Sequence, residues 1–212
     1  MALLSDAHKS LLQPDGLVAY SNYQIFSYIR WSSAHNLPGG DFFRAKEVRS
    51  SKDLLLVAGD IISHGENVYP GAFACLVAFL SLRETDPVEI LSALNRALFE
   101  ISRENGGEAL ALAMWLGADG LVYYAGGIDR LFHQDGKTLE IHEIPTHRVI
   151  IGKQEIYLSP LSLQLEPGDN LLISSDGVLY GDMRDDQVSA IVTYTPEMII
   201  APPKIERNIK NL

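Results

Sequence analysis

One cysteine, Cys75, occurs among the 212 residues, so no disulfide can form within the chain and a structural zinc site built on several thiolates is excluded. Cys75 stands in an apolar stretch and reads as a packing residue. Basic residues are also few: 17 Lys and Arg face 27 Asp and Glu, for a net charge of −10. That balance opposes binding to nucleic acid or to an anionic membrane, because phosphate contacts are made by Lys and Arg. No apolar run approaches the roughly 18 residues of a membrane span. The N-terminal MALLSDAHKS has no basic region followed by a long apolar core, so no secretory leader is expected either, and the expected compartment is the cytoplasm. Low-complexity tracts and internal repeats are missing. With 47% apolar and 21% charged residues, the chain reads as one globular domain over residues 1–194. The remainder, 195–212, holds Pro196, Pro202 and Pro203 without a clear period and is expected to be a loosely ordered tail.

What the sequence does have is a series of apolar runs that stop on aspartate. Residues 54–59 are apolar throughout and reach Asp60 before the small, polar Ser63-His64-Gly65, the pattern of a buried strand opening into a loop. Residues 170–175 lead in the same way into Asp176-Gly177. Gly39-Gly40 delivers Asp41 ahead of Phe42-Phe43, and Asp185-Asp186 precede the apolar stretch 188–192. Around these runs a short helix is expected over 5–12, ended by Pro14-Asp15-Gly16, and a strand over 23–31. Segments 42–47 and 54–59 read as an antiparallel hairpin. Two core helices follow, over 70–82 and 87–103; the second carries Val88, Leu91, Leu94, Leu98 and Ile101 at helical spacing behind an Asp86 cap. Strands over 109–116, 120–124, 130–133, 139–144, 162–165 and 170–175 complete the pattern. The fold class is α+β, a sandwich of mainly antiparallel strands with helices.

Four aspartates at strand ends, distant in sequence but able to converge, suit a hard divalent cation such as Mg²⁺ or Mn²⁺, which takes oxygen ligands. Each also has a plainer reading. Asp41 after two glycines could be a turn residue, Asp176-Gly177 a hairpin turn, and Asp185 and Asp186 solvated loop charges. Asp60 differs, because a carboxylate that ends an apolar strand has to be solvated, paired or metal-bound, and its partners favour metal. His64 could orient water or substrate, or be a hydrogen-bonded structural residue. Asn95, inside a helix, is expected to bond backbone near the metal loop in a supporting role. His142 and His147 read as surface residues.

The segments GGDFF (39–43), VAGDIISHG (57–65), Leu94-Asn95, YYAGGIDRLFHQDG (123–136), LEPGDNLLISSDGV (165–178) and DDQVSAIV (185–192) occur in the order seen in metal-dependent protein phosphatases. The chain resembles the bacterial branch of that type 2C-like family, which includes stage II sporulation protein E and the sigma-factor regulatory serine phosphatases. Leu11-Leu12-Gln13-Pro14 is similar to the helix that precedes the catalytic core there, and the resemblance spans nearly residues 8–193. It implies an α-β-β-α sandwich of two mainly antiparallel sheets flanked by helices, with the metals at one edge. It also implies that Asp41, Asp60, Asp176 and Asp185, with the carbonyl of Ile61, hold two Mn²⁺ or Mg²⁺ ions. Asp60 and Asp41 are then the catalytic carboxylates, and a metal-activated water hydrolyses a phosphate monoester.

Three features depart from the family pattern. Ser63 stands where the aspartate loop usually has glycine, Ala125-Gly126-Gly127 lacks the histidine of the AGH-type motif, and only eight residues separate Asp176 from Asp185 where relatives carry a helical segment. Asp182 and Asp186 are therefore alternatives for the last ligand. The resulting expectation is a cytoplasmic phosphatase acting on phosphoserine or phosphothreonine of a regulatory protein of the anti-sigma-antagonist or stressosome type, with no nucleic acid or membrane partner. A catalytically silent relative that regulates the same partner by binding is one rival. An acidic cation binder without chemistry is another.

Overall fold

The computed structural model describes residues 16–30, 40–48, 50–62, 68–105, 107–175 and 187–195. The helix expected over 5–12, together with Ser63, His64, Asp176, Asp182, Asp185, Asp186 and the tail beyond Thr195, lies outside the described residues. Thr195 itself is buried, and its N–H donates to the Asn22 carbonyl at 2.8 Å.

Among the described residues, twelve strands and two helices follow one another. They are β1 (Gly16–Ala19), β2 (Tyr23–Arg30), β3 (Asp41–Glu47), β4 (Leu54–Ile61), α1 (Val68–Ser81), α2 (Pro87–Asn105), β5 (Ala109–Leu116), β6 (Leu121–Gly127), β7 (Arg130–Gln134), β8 (Ile141–Glu143), β9 (Ile150–Ile151), β10 (Leu161–Gln164), β11 (Asn170–Ser174) and β12 (Gln187–Tyr194). They build two antiparallel sheets. The first, sheet A, has the order β1-β2-β12-β11-β7-β8; the second, sheet B, has the order β10-β6-β5-β4-β3, with β9 paired to β5.

The continuous apolar run of β4 is explained by burial on both faces, the usual reason a strand loses its polar alternation. Leu54, Leu56 and Ala58 point between the sheets, where they meet Leu112, Met114 and Leu116 of β5 and Leu171, Ile173, Ala190 and Val192 of sheet A. Leu55, Val57 and Ile61 point the other way, against Cys75, Leu76 and Phe79 of α1 and Ile90, Leu91, Leu94 and Leu98 of α2. Among the described residues both helices cover sheet B. The α2 start is capped as its sequence predicts: the Asp86 carboxylate accepts the Val88 N–H at 2.7 Å. At the other end of α1, Lys46 donates from Nζ to the carbonyls of Phe79 and Leu82 at 2.5 and 2.8 Å, satisfying groups the helix leaves open.

Differences from the sequence expectation are local. β6 runs through Gly126 to Gly127, where the paired glycines had suggested a break after residue 124. The strand expected over 139–144 shrinks to β8, because Leu139 adopts a left-handed conformation (φ +63°) in a turn whose Asp135 carboxylate accepts the N–H groups of Lys137 and Thr138. β1 and β9 were not expected at all.

Candidate metal centre

Asp41 opens β3 and Asp60 is next to last in β4, and the register sets them directly opposite one another. Opposed residues of an antiparallel pair project from the same face. That face is fixed by Phe43 on β3 and Ala58 on β4, both in the core between the sheets. Asp41 and Asp60, each two residues away from these, continue the inter-sheet face at its edge. Asp41 is only 4% exposed, and Asp60 is half-buried.

Sheet A closes on the same edge. Ser175, which follows β11, is fully buried, and its hydroxyl donates to Asp41 Oδ2 at 3.4 Å. It is the residue immediately before Asp176. Because β11 and β12 are antiparallel, with Ser174 opposite Ser189, the chain that leaves at Ser175 re-enters at Gln187 on the same end of the sheet. Ser175 and Gln187, the described residues on either side of 176–186, thus both lie at this end of sheet A, while Asp176 and Asp185 themselves lie outside the described residues.

Ile61 contributes backbone. Its N–H donates to the Gly40 carbonyl at 3.1 Å, and a Cβ at position 40 would stand 2.6 Å from the Ile61 carbonyl oxygen. Only glycine lets the backbone of residue 61 come so close to the residue before Asp41. Two carboxylates and a carbonyl, all oxygen donors, suit Mg²⁺ or Mn²⁺ better than a soft metal. Among the described residues no three His, Cys, Asp or Glu side chains form a cluster, so the described part of the site is this oxygen set.

Asn95 does bond backbone, as its helical position suggested. Its Oδ1 accepts the N–H groups of Gly152 and Lys153, and its Nδ2 donates to the Lys153 carbonyl. His142 and His147 are exposed. Position 127, where the family motif carries histidine, has no room for one: a Cβ there would stand 2.9 Å from both Cβ and Oγ1 of Thr146. Sequence reading missed the pair of half-buried His133 and buried Asp169, 2.8 Å apart. Burial opposes the Asp169 charge, yet N–H donors from Gly136 and Glu166 together with His133 hold its carboxyl below the usual range. This is a structural knot under the β7–β8 and β10–β11 turns.

The fold is that of the PP2C-like bacterial phosphatases. Residues 50–195 match the family model of stage II sporulation protein E (SpoIIE), and the chain belongs to that family. No curated protein matches the sequence. The solved structure of RsbX in complex with magnesium is similar at a TM-score of 0.67 and 14% identity, covering 84% of this chain and 98% of that one. A structure from the bacterial stressosome, a modular system adapted to control secondary messenger signalling, gives 0.65 and 20%, over 80% and 98% of the two chains. The Mycobacterium tuberculosis serine/threonine phosphatase PstP gives 0.66 and 11%, over 82% and 99%. At these identities the likeness establishes the shared fold.

Proposed function

We propose that this protein removes phosphate from serine or threonine of a regulatory protein, with two divalent cations held by Asp41, Asp60, the Ile61 carbonyl, Asp176 and Asp185. The observation that carries the reading is the facing pair Asp41 and Asp60 at the edge where the two sheets close, with Ser175 of sheet A bonded to Asp41. When bound, such cations supply an activated water and neutralise charge on the phosphate. The chain's own part is positional. The β3–β4 ladder fixes the two carboxylates on one face, Ser175 orients Asp41, and Gly40 admits the Ile61 backbone. No cysteine nucleophile is available, since Cys75 is buried and its thiol is pushed up to about 12 by burial. A free buried thiol also suits a reducing compartment, in keeping with a cytoplasmic protein. The stressosome and RsbX relatives support a partner of the kind found in sigma-factor or stressosome regulation.

A second reading, a silent relative that regulates the same partner by binding, is favoured by Thr146 filling the space beside Gly127. Titrating Mn²⁺ against hydrolysis of a small aryl phosphate separates the two. Saturable, chelator-sensitive turnover supports the phosphatase; metal binding without turnover supports the silent relative.

A further inference from the structure

We infer that Asn95 is a positioning residue for the aspartate edge, acting through the backbone of Gly152 and Lys153; this rests on the metal-centre reading above. An asparagine inside a helix ordinarily bonds its own turn or faces water. Asn95 does neither. It is 6% exposed, beside the fully buried Leu94 and Leu98, and it makes three hydrogen bonds to a segment far along the chain: Gly152 N–H at 2.8 Å, Lys153 N–H at 3.1 Å and the Lys153 carbonyl at 2.9 Å. The turn it grips can be made only by glycine. Gly152 has φ +93°, and a Cβ there would stand 2.6 Å from the Gly107 carbonyl.

The gripped segment directly follows β9, and β9 has a particular place in sheet B. β6 pairs with β5 only from Ala111 onward. β9 takes over beside the first two residues of β5, with Ile151 opposite Ala109 and Ile150 opposite Leu110. On their other side those same two residues pair with Ile61 and Asp60. A strand of two residues has too few ladder bonds to stay in place alone, and Asn95 supplies the missing anchor at its C-terminal end. A second strap runs in parallel: Lys153 Nζ lies 2.5 Å from Glu108 Oε1, and the Glu108 carbonyl accepts the Ile62 N–H at 2.7 Å. The order of support is therefore Asn95, then β9, then the start of β5, then Asp60 and Ile61. Without Asn95 the N–H groups of Gly152 and Lys153 lose their acceptor, and the strand behind the proposed ligands is free to shift.

A purely structural role would change stability and nothing else, so the test reads metal affinity. Mn²⁺ binding to the full chain is measured by calorimetry for the wild type, Asn95→Asp, which keeps both acceptor bonds, and Asn95→Leu, which keeps none. The expected result is a loss of about 10–100-fold in Mn²⁺ affinity for the leucine variant, with a smaller loss for the aspartate variant, which keeps both acceptor bonds but sets an oxygen against the Lys153 carbonyl. Coupling is reciprocal, so in the wild type saturating Mn²⁺ should slow amide exchange at Gly152 and Lys153, neither of which is a ligand. Failure of the wild type to bind Mn²⁺ would overturn the metal-centre reading itself. Wild-type binding with an unchanged affinity in Asn95→Leu and unchanged exchange at those amides would overturn the positioning role alone. If Asn95→Leu does not fold, the exchange measurement on the wild type decides.

Discussion

Alanine at position 40 tests how the Asp41 edge is assembled. The added Cβ would meet Ile61 at three atoms, 2.6 Å from its carbonyl oxygen, 2.8 Å from its Cβ and 2.9 Å from its nitrogen. Comfortable carbon contacts begin at about 3.5 Å, so the two backbones must part by roughly 0.7 Å or more. The Ile61 N–H bond to the Gly40 carbonyl, now 3.1 Å, would stretch to about 3.8 Å and cease to be a hydrogen bond. Overpacking of this kind costs about 1–3 kcal/mol of stability, and the lost bond adds about 1 kcal/mol. The chemical effect is separate. A shift approaching 1 Å in a positioned group can cost about a hundredfold in rate, or about 2.7 kcal/mol of barrier. Urea unfolding and Mn²⁺-dependent aryl phosphate hydrolysis, run on the same preparations, read the two quantities. We expect Gly40→Ala to be folded, destabilised by about 2–4 kcal/mol, and slower by about a hundredfold at saturating metal. Wild-type values in both assays would show that the close approach of residues 40 and 61 does not hold the site.

Other outcomes follow from the same geometry. Asp60→Asn keeps shape but removes charge from the facing pair, so turnover should vanish while the circular dichroism spectrum is kept; turnover within a few-fold of wild type would remove Asp60 from the chemistry. Alanine at Asp185 and at Asp186, compared for Mn²⁺ affinity, should show loss only at Asp185; loss only at Asp186 shifts the ligand by one residue. Asp169 has a folded carboxyl below its unfolded value of about 3.9. Its stabilisation is therefore present above that pH and lost as pH falls through the folded value, so Asp169→Asn should lower stability at pH 7 and flatten the acid limb of the stability curve. An unchanged acid limb would contradict this. Cys75 should resist a disulfide thiol reagent in the native protein and react once per chain in urea, because it is buried and its thiol is held up to about 12; rapid native labelling would contradict the packing of α1 on sheet B.

How much was legible beforehand depended on length and on partners. β4 and α2 were readable because each carries a long, one-period pattern: a double-sided apolar run in one, and Leu91, Leu94 and Leu98 at helical spacing in the other. β1 and β9, of four and two residues, carry no period that a window can detect. They exist because β2 and β5 offer open edges. The aspartates at strand ends were visible as such, since a carboxylate closing an apolar run is a local anomaly. Their direct opposition was not, because register depends on the length and conformation of the 48–53 turn, where Lys52 has φ +61°. Nor was the reach of Ser175 to Asp41, set by how the two sheets stack. Asn95 was marked by its helical setting, yet its partners near residue 152 follow only from the placement of β9.

Sheet A is joined across its middle by β12, which lies between β2 and β11. During synthesis the β1–β2 hairpin emerges early, yet its only neighbour in that sheet is a strand that emerges after every other described strand. Until then β2 and β11 both present unpaired edges, the surfaces through which chains associate wrongly. Asp41 and Ser175, 134 residues apart in sequence, meet only when that sheet lies against the other. Folding of this kind is governed by distant contacts and is slow for its size. A chain cut short anywhere before β12 thus keeps the edges of β2 and β11 open and leaves sheet A in two separate pieces.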